Sequence, residues 1–176
     1  AVNHIAGHAG SLMIDAGRIT VGGDSSGGNL ALATAMSEQC RAQVESLLLF
    51  YPVTKAMPDG SESWQRYGSG YGLDAELMEA FNRAYALNAD AAQPAVSPGL
   101  CSPSELSRLP RTLIVAAERD ILRDQGAELA RLIGRKARRV EYGGAVHMFI
   151  TVPGQDTAFR RAVSDSLAFT AVPRKK

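Results

Sequence analysis

A serine stands between two glycines in Gly23-Asp24-Ser25-Ser26-Gly27, at the spacing G-x-S-x-G. A serine hydroxyl is a poor nucleophile until a base removes its proton. The chain offers one histidine after this point, His147, within Gly144-Ala145-Val146-His147-Met148-Phe149. Between the two lies Glu118-Arg119-Asp120, a source of a carboxylate that could hold an imidazole in one tautomer. Nucleophile, acid and base in this order suit acyl transfer, with Ser25 attacking a carbonyl, His147 carrying the proton and Asp120 orienting the ring. Glu118 and Asp124 lie in the same stretch and compete for the acid's part. Asp120 is preferred because it directly follows an apolar run, where a short side chain can reach the imidazole. Asp124 is expected to cap or brace the loop.

The elements that must position these residues follow from the surrounding pattern. Ile19-Thr20-Val21-Gly22 reads as a buried strand, and the Ala/Leu-rich segment from Asn29 to Gln39 reads as a helix. A sharp strand-to-helix turn forces the serine backbone into a strained conformation and lifts its Oγ above the sheet. Side chains two residues before and two after are expected to collide across the turn, which glycine avoids. The helix then presents its free N–H groups and positive dipole end to the serine. The N–H of Ser26 is expected to act as an oxyanion donor. A phosphate-binding P-loop is excluded, since Gly28-Asn29-Leu30 lacks the Gly-Lys-Ser/Thr ending. No glycine spacing matches the dinucleotide fingerprint, and too little chain precedes Ser25 for the His, Asp, Ser order of trypsin-like enzymes.

The remaining pattern alternates strands and helices. Val2, Ile5, Ala6, Ala9, Leu12 and Met13 recur at helical spacing and predict an amphipathic first helix ending near Gly17. His4 and His8 stand four apart on it, but Ile5 occupies the place of the zincin glutamate, so a solvated face is expected instead of a metal site. Ser46 to Pro52 is a continuous apolar run ended by proline, the pattern of a fully buried parallel strand, and the βαβ unit implies a doubly wound sheet. The segment 55–95 then changes character. It holds Trp64, Tyr67, Tyr71, Phe81 and Tyr85, has a helix-like stretch from Asp74 to Leu87 with Asp74 at its N-cap, and reads as an excursion above the sheet. It either lines a pocket or is an ordinary packed insertion. Gln93 to Pro110 reads as a Pro/Ser-rich loop, Thr112 to Ala117 as a buried strand, and Leu122 to Ile133 as an amphipathic helix. Arg131, Arg135, Lys136, Arg138 and Arg139 read as a solvated helix end. Val140 to Tyr142 reads as a short last strand with a glycine loop after it, Asp156 to Phe169 as a closing helix, and Pro173 to Lys176 as a frayed tail.

Composition bounds the class. The chain has 176 residues, 45% hydrophobic and 21% charged, which suits a single soluble α/β domain over 1–176. A net charge of +1 argues against a dedicated nucleic-acid or polybasic membrane binder. Two cysteines, Cys40 and Cys101, are too few for a disulfide framework. No apolar run is long enough to span a membrane and no signal-peptide pattern opens the chain, so a cytoplasmic enzyme is expected. The chemistry needs neither metal nor organic cofactor.

Together the elbow Gly23 to Ala31, Asp120 in Glu118 to Asp124, and His147 in Gly144 to Phe149 resemble the hormone-sensitive-lipase-like family of α/β-hydrolases, which includes bacterial esterases. The resemblance extends over nearly the whole chain. Ser26 departs from the alanine that usually follows the nucleophile in that family, while keeping the backbone donor. The resemblance implies an α/β-hydrolase fold, with a mostly parallel sheet and helices on both faces. It also implies a serine carboxylesterase acting on small acyl esters through an acyl-enzyme. One family feature does not occur before Ser25: the His-Gly-Gly-Gly type motif that supplies further oxyanion donors. The chain therefore looks like the C-terminal part of such a domain, lacking its N-terminal strands. The strand before the elbow is then expected to expose an unpaired, apolar edge and face, and so to need a partner segment (the missing N-terminal segment) or a second chain (a homo-oligomer), or to leave the chain poorly soluble. The alternative expectations are a catalytically inactive ligand-binding or interaction protein on the same fold, and an amidase or peptidase.

Overall fold

In the computed structural model, which describes residues 1–58, 60–87 and 89–171, four strands form one parallel sheet. The elements follow in the order α1 (Val2–Gly7), β1 (Ile19–Asp24), α2 (Ser26–Met36), β2 (Val44–Phe50), α3 (Glu62–Tyr67), α4 (Ala75–Ala86), α5 (Pro103–Leu106), β3 (Arg111–Arg119), α6 (Arg123–Ile133), β4 (Ala137–Val146) and α7 (Asp156–Ala171). The strand order is β1-β2-β3-β4, and all three pairings are parallel. The order of the described strands runs one way, without the reversal that a doubly wound sheet carries.

Period-two alternation sends successive side chains to opposite faces and builds two cores. Leu47, Leu49 and Ile114 pack with Leu32 of α2 and with Leu129 and Ile133 of α6. Leu113, Val115 and Ala117 pack on the other face with Tyr142, Phe149 and α7's Ala162 and Phe169. Helices therefore cover both faces, and β3 is buried from Thr112 to Ala117. A third cluster joins Trp64, Leu73 and Met78 of the excursion to Ile121 and Leu122 beyond β3. Among the described residues β1 pairs on one side only, with β2.

Several elements differ from the sequence expectation. The first helix stops at Gly7, well short of Gly17, and buries no residue. Gly7 and Gly10 are poor helix formers, and Met13 has a φ of 55°, so the apolar spacing there has no continuous helix to act through. The elbow helix starts directly at Ser26 and ends at Met36, short of Gln39. The segment expected as a Pro/Ser-rich loop contains a 3₁₀ turn at Pro98–Leu100 and the short helix α5. Ser102 and Glu105 form a reciprocal capping box around Pro103, a signal readable in Ser102-Pro103-Ser104-Glu105.

The last strand is ten residues long and not three. Arg138 and Arg139 lie on it and not at a helix end, and they pair with Asp165 and Glu141. Gly143 and Gly144 belong to the strand, where its register with β3 shifts between Ala117 and Arg119. Asp74 stands at the N-cap of α4, but its Oδ1 accepts from the Gly70 N–H at 2.8 Å and makes no cap bond to the helix. Cys40 and Cys101 are both free. No helix among the described residues is long and apolar enough to cross a membrane. The expected frayed tail at Pro173 to Lys176, and Asn88 within the excursion, lie outside the described residues.

Candidate active site

Because the sheet is parallel, the C-terminal ends of its strands share one edge, and the chemistry-bearing residues collect there. Ser25 directly follows β1 and has φ 50° and ψ −116°, a left-handed conformation that a non-glycine residue rarely adopts. The surroundings hold it there. The Ser25 N–H donates to the Phe50 carbonyl at 2.9 Å, and the Ser25 carbonyl accepts from the Val53 N–H at 3.1 Å.

The glycines around this turn serve different ends. A Cβ on Gly23 would stand 2.3 Å from the carbonyl carbon and oxygen of Gly27, so no side chain fits there. A Cβ on Gly27 would meet only Asp24 Oδ1 at 3.7 Å, an ordinary contact. The expectation that both flanking positions collide holds for Gly23 and fails for Gly27. The second tight position is Gly28, where a Cβ would lie 2.8 Å from Pro52 Cβ.

His147 follows β4 by one residue, and its Nε2 lies 3.0 Å from Ser25 Oγ. Its Nδ1 lies 2.8 Å from Asp120 Oδ2. The carboxylate can only accept, so Nδ1–H donates to Asp120 and Nε2 is left to accept from the Ser25 hydroxyl. The other oxygen, Asp120 Oδ1, accepts from the Leu122 N–H at 2.8 Å. Asp120 and His147 are 1% and 6% exposed, which keeps this chain of hydrogen bonds out of bulk water.

The competing carboxylates are engaged elsewhere. Glu118 Oε2 accepts from the Gly144 N–H at 2.6 Å. Asp124 accepts from the Ser63 N–H at 2.8 Å and from Arg123 Nε at 2.8 Å, tying α3 to α6. His4 and His8 stack on each other at 4.1 Å, and no group of three His, Cys, Asp or Glu suited to a metal occurs among the described residues.

Ser25, Ser26 and His147 open into a cavity of about 760 Å³. Its walls are mainly apolar, and much of them comes from the excursion, through Leu73, Leu77, Met78 and Phe81. Ser26 is the first residue of α2, so its N–H is among the donors without an intrahelical partner.

Three supporting residues were not singled out from the sequence. Buried Asn29 donates through Nδ2 to the Val53 and Val96 carbonyls and accepts through Oδ1 from Tyr85, joining α2 to the excursion. Gln125, fully buried, accepts through Oε1 from the Thr54 and Lys55 N–H groups and so fixes the chain after β2. Tyr51 has its ring beside the imidazole of His147. Burial, then the charges of Asp24 and Asp120, push its phenol pKa well above the usual tyrosine range, so it stays neutral. Only the Tyr51-Pro52 pair at a strand end hinted at the last of these in the sequence.

Comparison with known proteins agrees with this architecture. Residues 1–151 match the family model described as alpha/beta hydrolase fold. An ethyl acetate hydrolase of Pseudomonas putida is 39% identical over 159 residues, covering 87% of this chain and 46% of that protein. An arylesterase of Saccharolobus solfataricus is 35% identical over 156 residues, covering 83% of this chain and 49% of that protein. Among solved structures, a fungal esterase from Rhizomucor miehei superposes with a TM-score of 0.85 at 30% identity, over 96% of this chain and 56% of that one. EstE1, a thermostable carboxylesterase from a metagenomic library, gives 0.83 at 30% identity, over 98% and 61%. The chain spans about half the length of these curated relatives. With its fold, its matched model and its relatives in agreement, the chain belongs to the α/β-hydrolase family, within the hormone-sensitive-lipase-like group.

Proposed function

We propose that this chain carries the catalytic centre of a carboxylesterase that cleaves small acyl esters through a covalent acyl-enzyme. The observation that supports it most directly is the unbroken hydrogen-bonded series from Asp120 through His147 to Ser25, with spacings of 2.8 and 3.0 Å. Ser25 Oγ attacks the ester carbonyl carbon while His147 Nε2 takes the hydroxyl proton. The tetrahedral adduct places its negative oxygen toward the Ser26 N–H at the positive end of α2. Its collapse breaks the bond to the alcohol oxygen, which receives the proton from His147 and leaves. Water then attacks the acyl carbon, giving one proton to His147. The acid departs, and Ser25 regains its hydrogen. Asp120 keeps the imidazole in the required tautomer and stabilises the imidazolium.

In this reading the 176 residues act as one domain, and the excursion at 55–95 supplies the pocket. The names of the relatives, an ethyl acetate hydrolase and an arylesterase, support esters as the substrate class. The test is hydrolysis of p-nitrophenyl acetate by the purified chain beside Ser25→Ala. Turnover that disappears in the variant is expected. Equal turnover in both proteins, or none from a folded wild-type sample, overturns the proposal for this chain.

A further inference from the structure

On the inner side of α4, Met78 and Asn82 are the two buried residues, one turn apart. Met78 is suited to that place and Asn82 is not. Asn82 is 6% exposed, and its Nδ2 has no hydrogen-bond partner. A buried donor left unmet is destabilising, and asparagine in a helix interior is a poorer helix former than leucine or methionine. An apolar residue here would improve the free protein on both counts. Asn82 also borders the cavity that holds Ser25 and His147, among Met78, Phe81 and Tyr85 of the same helix. On its other side it borders a second cavity of about 400 Å³, and Ala56 is the other residue shared between the two. Of the other polar side chains of the main cavity, that of Ser26 is exposed and open to water, and the rest are engaged. Asn29 has its three bonds, Tyr85 donates to Asn29, and Ser25 faces His147. Among the described residues that line this cavity, Asn82 is thus the buried side-chain donor that still lacks an acceptor.

We propose that Asn82 is a specificity-determining residue, whose Nδ2 donates to an oxygen carried by the substrate's chain, away from the scissile ester. The favoured substrates are esters with a keto, ether or hydroxyl oxygen part-way along an otherwise apolar acyl or alcohol chain. Plain alkyl esters fill the same space and leave the donor unmet. A pocket built to pair a substrate's polar group discriminates against the analogue that lacks it. The inference rests on the esterase reading of Ser25 and His147, because that reading makes the cavity a substrate pocket.

Titration calorimetry in the Ser25→Ala background tests it without turnover. One arm compares ethyl heptanoate with its oxo derivatives, the keto group moved stepwise along the acyl chain. The other compares hexyl acetate with its oxo derivatives, which places the oxygen on the alcohol side. In one arm, at one position, the oxo ester is expected to bind about tenfold tighter than its parent. That ratio should fall to about one in both Asn82→Leu and Asn82→Ala. Asn82→Leu should also raise the thermal unfolding midpoint of the free chain, read from Trp64, the only tryptophan. A purely structural asparagine would lower it. An unchanged ratio in the variants, no preferred oxo ester, no ester binding, or a lowered midpoint in Asn82→Leu overturns the inference. Turnover that persists in Ser25→Ala removes the catalytic reading instead. An oxo preference that still depends on Asn82 would then support Asn82 as a ligand-discriminating donor and overturn its part in substrate specificity at Ser25.

Discussion

The ring of Tyr51 lies 4.7 Å from that of His147, centroid to centroid, tilted by 58°. Tyr51 is 2% exposed, its φ is 34°, and Phe149 packs against it at 5.6 Å. The imidazole is therefore braced by an aromatic surface as well as by Asp120. Tyr51→Phe keeps that surface and should keep both stability and ester turnover near wild type. Tyr51→Ala opens a cavity under the histidine and should cost about 3–5 kcal/mol in urea unfolding, with a loss of kcat larger than any change in KM. Equal effects of the two substitutions would show that the hydroxyl matters, not the ring.

The two glycines of the elbow should respond in opposite ways. Gly23→Ala places a methyl 2.3 Å from Gly27 backbone atoms, which neither side can yield without moving the turn. A loss of about 3 kcal/mol or more is expected, together with loss of turnover. Gly27→Ala meets nothing closer than 3.7 Å and adds a better helix former to α2. It should be neutral or stabilise by up to about 1 kcal/mol. Thermal unfolding of the two variants side by side checks this, and a similar fall in both would contradict the geometry.

The three carboxylates near the end of β3 can be separated by charge removal. Asp120→Asn keeps the shape but disturbs the imidazole tautomer, and a loss of about 10⁴ in kcat is expected from the proposed role. Glu118→Gln touches only the bond to the Gly144 N–H and should leave kcat close to wild type. Steady-state kinetics on p-nitrophenyl acetate decides, and a large loss in Glu118→Gln with a small one in Asp120→Asn would reassign the acid.

Asp124 should make stability depend on pH. Its burial opposes ionisation, but the hydrogen bonds from Arg123 and Ser63 and the Arg123 charge outweigh it, so its pKa lies below the usual aspartate value. A depressed folded pKa contributes stability above the unfolded value of about 3.9, lost as pH falls through the folded value. Asp124→Asn should thus be less stable than wild type at neutral pH by about 1–2 kcal/mol, the gap closing in acid. Thermal unfolding at both ends of that range measures it, and a gap of constant size would rule this linkage out.

What could be read from the sequence was local. The spacing of Gly23, Ser25 and Gly27 and the apolar runs before Ser25 and Asp120 marked where a turn and a strand end fall. Each is set by residues a few positions apart. The elements that were misread depend on partners far along the chain. The residues from Ala137 extend as a strand because Thr112, Leu113 and Ile114 pair with them. The helical spacing around Leu12 failed because the helix ends at Gly7, and Leu12 and Met13 stay exposed. Gly28, Asn29 and Gln125 were silent in the sequence for the same reason. Each acts on the chain after β2, through Pro52, Val53 or Thr54, and no spacing rule links those positions.

The hydrogen bond between Ser25 and His147 joins positions 122 residues apart, across a sheet in which every pairing is parallel. Parallel pairs cannot be closed by hairpins, and such distant contacts form slowly. Ser25 and His147 therefore meet only after β1, β2, β3 and β4 have all found their register. A serine-directed phosphonate added during refolding should label Ser25 late, after helical signal has returned. Reactivity of that one side chain then times the last step of assembly.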